Sequence, residues 1–115
     1  MNKRMIVAAN WKMNKNLSEA CEFLEKLEFH LIENDYQSSV IIFPPFIGLE
    51  SLAGKFNSDN FYFGSQNFHY EKSGAFTGEV SISMLEHIGI DYALIGHSER
   101  RSLFNETDNL INKKI

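Results

Sequence analysis

YALIGHSERR, residues 92–101, is apolar up to Gly96 and then turns without a gap to histidine, serine, glutamate and two arginines. Its apolar half has the length of a buried strand. Its polar half carries too many chemically active side chains to continue that strand. A second junction of the same kind, IVAANWKMNK at 6–15, stands near the start of the chain. Two strands that each release polar groups at their C-terminal ends suggest a sheet wall with a functional rim.

Working outward, short apolar runs alternate with segments of helical period. MIVAA (5–9) is a fully apolar run, as for a strand buried on both faces of a parallel sheet. In NLSEACEFLEKLEFHLIEN (16–34), Leu17, Cys21, Leu24, Leu27 and Leu31 recur at three- and four-residue steps and draw one apolar stripe along a helix. Glu22 and Lys26 are spaced for an i,i+4 ion pair on its other side. SVIIF (39–43) reads as a second strand, stopped by Pro44-Pro45 because proline cannot donate to a ladder. IGLESLAGKF (47–56) is a short helix candidate and FYFGSQN (61–67) a third strand. A glycine-bearing loop at 68–78 leads to VSISMLEHIG (80–89), with helical spacing at Val80, Met84 and His87 or Ile88 and a stop at Gly89. DYALIG (91–96) is the fourth strand. The last helix is expected from Asn105 as N-cap, with Asp108 three residues on.

Four strand–helix units in succession imply parallel strands joined by right-handed crossovers, in one domain spanning 1–115. Composition agrees: 43% hydrophobic and 23% charged residues fit a globular chain. A net charge of −4 without long runs of one sign argues against nucleic-acid and membrane partners. The apolar stretch at 5–9 is too short for a signal peptide, so the expected location is cytoplasmic. Cys21 is alone and reads as helix packing.

The strand ends share a rim because parallel strands share a direction. To it the strands bring Asn10 and Lys12, Pro44-Pro45, Gln66 and Asn67, and finally His97, Ser98 and Glu99. Ligands in α/β folds sit at this rim. Lys12 could neutralise a phosphate or carboxylate as a compact point charge, or be an ordinary solvated lysine. His97 could act as a general acid or polarise a carbonyl, or serve structure alone. Glu99 could pair with Arg100 or reach across to Lys12. Arg100 and Arg101 read as salt-bridge partners and Trp11 as packing. His30, His69 and His87 lack metal-ligand spacing, which argues against a metal site. GAFTGE (74–79) fits neither a dinucleotide fingerprint nor a P-loop. No nucleophile elbow surrounds Ser98.

AANWKMN (8–14) and YALIGHSERR together closely resemble signatures of the triosephosphate isomerase family. FGSQN (63–67) and GAFTGEVS (74–81) resemble that family's third strand and third loop, in order. The similarity covers essentially the whole chain. It implies a parallel (βα)4 half of a TIM (β/α)8 barrel, and interconversion of dihydroxyacetone phosphate and glyceraldehyde 3-phosphate through an enediolate, without a cofactor. By matching position, Asn10 and Lys12 become the substrate-binding pair, and His97 and Lys12 the catalytic residues, His97 as the electrophile. Ser98 and Glu99 become supporting residues, Glu99 contacting Lys12 and Asn10. Thr77 becomes the third-loop contact with the neighbouring subunit of a homodimer.

The family's barrel has eight strand–helix units in about 250 residues, so the chain is expected to break off within the fourth helix. The family's glutamate base follows the sixth strand, and its phosphate loops follow strands seven and eight. None of Glu79, Glu86 and Glu106 matches that base by motif. The leading expectation is therefore the N-terminal half of a triosephosphate isomerase, inactive alone. The alternative is a non-catalytic half-barrel that binds a phosphosugar or serves assembly.

Overall fold

The computed structural model describes residues 4–115. Along the chain run β1 (Ile6–Asn10), α1 (Leu17–Glu33), β2 (Ser39–Phe43), α2 (Phe46–Lys55), β3 (Phe61–Ser65), α3 (Ile82–His87), β4 (Tyr92–Ala93), α4 (Ser98–Leu103) and α5 (Asp108–Lys114). The four strands form one sheet in sequence order, every neighbouring pair parallel. Asn10 lies level with Phe43, and Ser65 with Ala93. This register brings the C-terminal strand ends to a common rim.

Helix α1 starts where its sequence satisfies its own orphan donors. Asn16 Oδ1 accepts from the Glu19 N–H at 2.9 Å, and Glu19 Oε1 accepts from the Asn16 N–H at 3.1 Å. The apolar stripe forms with a slight rotation. Leu24 and Leu31 are buried, Cys21 and Leu27 pack against the core, and Leu17 stays largely exposed. The Glu22–Lys26 pair is present at 2.9 Å. Beneath α1 and α2 the core gathers Val40, Ile42, Leu49, Leu52, Phe61 and Phe63. Burying each such side chain contributes about 1.5–3 kcal/mol. Trp11 is buried in this core and meets Phe23 edge-on at 5.7 Å.

Several expectations need correction. β1 is not buried on both faces: Ile6 is 64% and Val7 47% exposed, and among the described residues β1 pairs only with β2. β4 is two residues long, since only Tyr92 and Ala93 find ladder partners on β3. β3 ends at Ser65, before the Gln66-Asn67 pair. On α3 the buried side is Leu85 and Ile88, while Met84 and His87 face outward. The polar run 98–103 is itself a helix, α4, which periodicity did not reveal. α5 is capped by Thr107, whose hydroxyl accepts from the Leu110 N–H at 3.2 Å. Asn105 sits instead in the left-handed region at φ 54°, making the turn between the two helices.

Candidate active site

The rim encloses a cavity of about 240 Å³ lined by Asn10, Lys12, Gln66, Asn67, His97 and Glu99, with Arg100 and Phe104 at its α4 side. Lys12 and His97 thus converge from β1 and β4, the two outer strands of the sheet.

Each side chain is held by local structure. Lys12 lies in the left-handed region at φ 56°, with its N–H donated to Asn10 Oδ1 at 2.9 Å. Its ammonium pairs with Glu99 Oε1 at 2.6 Å. Both side chains remain about half exposed, at 52% and 44%. The bond from Lys12 holds the Glu99 carboxyl below the ordinary glutamate range, outweighing a smaller upward push from burial.

His97 is the N-cap of α4, and its Nδ1 accepts the Glu99 N–H at 3.1 Å. With Nδ1 turned to the backbone donor, Nε2 is the ring nitrogen left free to donate. Glu99 Oε2 lies 3.7 Å from the same Nδ1. That is too long for a hydrogen bond and does not compete with the backbone donor. The junction at Gly96, φ 67°, swings the chain from β4 into α4.

Ser98 is the exposed first residue of α4, lies outside the cavity lining, and offers its carbonyl to Ser102 Oγ at 2.9 Å. Thr77 is exposed on the third loop, also away from the cavity. That loop is anchored at its base, where Phe68 is buried and the His69 N–H donates to Val80 O at 2.8 Å. Its free part, 71–79, is exposed and braced by His69 stacked on Phe76 at 4.1 Å.

A buried charge cluster beneath the rim was not legible beforehand. Glu106, 3% exposed, accepts from Arg100 Nε at 2.8 Å. Lys114 Nζ lies 3.3 Å from Glu106 Oε1, near enough for charge attraction without hydrogen-bond alignment, and donates to Asn67 Oδ1 at 2.6 Å. A glutamate ahead of a polar helix reads as solvated, and its two partners lie on separate helices, Arg100 on α4 and Lys114 on α5. Arg100 and Arg101 are ion-pair partners as read, Arg101 with Asp108 at 2.7 Å.

A parallel half-barrel with a lysine, a histidine and amide side chains at its carboxyl rim defines a protein of the β/α-barrel class. The triosephosphate isomerase family profile matches residues 5–115, and the chain belongs to that family. It is 45% identical over 113 residues to the triosephosphate isomerase of Clostridium beijerinckii, covering 98% of this chain and 45% of that protein. The Acetivibrio thermocellus enzyme of the same name is 44% identical over 115 residues, 100% of this chain and 45% of the relative. The Aquifex aeolicus one is 45% identical over 112 residues, 97% and 45% respectively. The chain therefore spans a little under half the length of these curated relatives.

Proposed function

We propose that these residues form the N-terminal half-barrel of a triosephosphate isomerase, a single unit over 1–115 that supplies the electrophile and the substrate-binding cation. The reaction is interconversion of dihydroxyacetone phosphate and glyceraldehyde 3-phosphate in glycolysis and gluconeogenesis, in the cytoplasm, by a homodimer. The observation that carries this reading is the convergence of Lys12, His97, Asn10 and Glu99 on one cavity.

The chemistry follows from charge. Abstracting a proton beside a carbonyl builds negative charge on the carbonyl oxygen. A hydrogen-bond donor fixed in advance stabilises that charge without reorganising. His97 Nε2–H is such a donor, its ring oriented by the bond to Nδ1. A neutral imidazole at a helix N-terminus is the arrangement described for triosephosphate isomerase itself. Lys12 supplies the positive charge for the substrate phosphate, and Glu99 keeps its ammonium over the cavity. Asn10 fixes the Lys12 backbone from the same strand end.

The base is not among these side chains. Glu99 is engaged by Lys12 and Glu106 by Arg100. Residues 1–115 alone are therefore inactive, and a glutamate from the complementary half completes the site. The test is a coupled isomerase assay on purified 1–115, alone and co-expressed with the C-terminal half of the Clostridium beijerinckii relative. Activity only in the second case supports the reading. No activity in either, with a stable complex formed, favours the non-catalytic half-barrel.

A further inference from the structure

We propose that Gln66 is a positioning residue that holds Lys12 in its left-handed backbone conformation and thereby aims its ammonium over the cavity. This rests on the reading of Lys12 as the substrate-binding cation.

A lysine at φ 56° is sterically disfavoured, because its Cβ crowds the following carbonyl. Something nearby must hold it. Gln66 Nε2 donates to Lys12 O at 2.8 Å and to Phe43 O at 2.8 Å. Both acceptors are main-chain carbonyls, so the NH₂ end of the amide must face them; its oxygen could serve neither. Phe43 ends β2 and also receives the Trp11 N–H at 3.1 Å. One side chain following β3 thus fastens the loop after β1 to the end of β2. With the Lys12 N–H on Asn10 Oδ1, both polar groups of the Lys12 backbone are held by side chains rather than by the sheet ladder. The turn so formed leads from buried Trp11 to an ammonium 2.6 Å from Glu99.

Glutamine is the residue this needs. Methionine has its length but no donor, glutamate offers acceptors to acceptors, and asparagine is one methylene short of spanning both carbonyls. The charged and titratable groups facing Glu99 are Lys12 and, at 3.7 Å, the His97 ring, so the Glu99 carboxyl reports on where Lys12 stands.

The experiment is NMR on the 115-residue chain, following the Glu99 carboxyl titration and the Lys12 HN–Hα coupling. Gln66→Met is expected to move the Glu99 titration up toward the ordinary glutamate value and the Lys12 coupling away from that of a left-handed residue. Leu52→Ala, a core truncation remote from the rim, should lower Tm and leave both signals in place. If Gln66→Met behaves like Leu52→Ala, the proposal is overturned. Should Gln66→Met not fold, Gln66→Asn carries the same comparison, with both signals moving in the same directions by less; unchanged signals there overturn it too. Neither signal depends on catalysis. An inactive completed barrel would remove the isomerase reading, and only these signals decide the role of Gln66.

Discussion

Arg100 Nε stands 2.8 Å from Glu106 Oε2 across the turn between α4 and α5, and the carboxylate it meets is almost fully buried. Arg100 lines the cavity and Glu106 lies below it. The pair therefore fastens the helix carrying His97 at its N-cap to the turn that leads into α5. Removing the carboxylate strands the Arg100 charge and the buried Lys114 charge together. Glu106→Ala should destabilise the fold by about 3–5 kcal/mol, measured by urea unfolding, because an uncompensated buried charge costs more than the pair contributes. A loss within the range of surface substitutions would contradict the assigned burial.

The same carboxyl gives a pH dependence. Burial pushes its pKa up, but the bond from Arg100 and the nearby Lys114 charge outweigh it and hold the group below the ordinary 4.5. A depressed folded-state pKa stabilises the fold above the unfolded value. That stability is lost as pH falls through the folded value. Urea midpoints should therefore drop as pH is lowered below about 4.5, and Glu106→Gln should flatten that limb. An equally steep acid limb in Glu106→Gln would assign the effect to other carboxylates.

In a barrel completed by its other half, His97→Gln should lower kcat by about 10²–10⁴-fold, the usual range for a positioned acid–base group. Lys12→Met should act chiefly on KM, since a charge matching the substrate phosphate is used in the ground state as well as the transition state. Steady-state kinetics separate the two. A His97→Gln variant that changes KM alone would remove the electrophile role.

Gly64 marks a close approach inside the sheet. A Cβ there would stand 2.7 Å from Phe43 Cδ1 and 3.0 Å from Tyr92 Cβ. The buried Phe43 ring has to move for the side chain to fit. Gly64→Ala should cost about 1–3 kcal/mol in thermal or urea unfolding, as overpacking does. A neutral result would mean that the ring yields freely.

In the homodimer proposed above, with the third loop as its contact, Thr77→Arg should weaken association by placing an unpaired charge in the interface. Sedimentation velocity over a concentration series reads this directly. Unchanged dimerisation would take Thr77 out of the interface.

The sequence by itself determined the alternation of strands and helices, the parallel sheet and the rim on which Asn10, Lys12, Gln66, Asn67, His97 and Glu99 meet. These follow from apolar runs of strand length, from the helical period of 3.6 and from chain direction, which contiguous residues encode. Read from the residues alone, Glu99 stayed open between Arg100 and Lys12, and the tertiary structure decided for Lys12, because that choice depends on two loops 87 residues apart. The same holds for Glu106. In sequence it is one more acidic residue before a helix, and its burial exists only where Arg100 and Lys114 close on it, with Asn67 joined to the cluster through Lys114. The extent of β1 burial and the length of β4 were likewise beyond local reading. A strand's exposure depends on what packs on its faces and its pairing on what lies against its edges, and among the described residues β1 and β4 each pair along one edge.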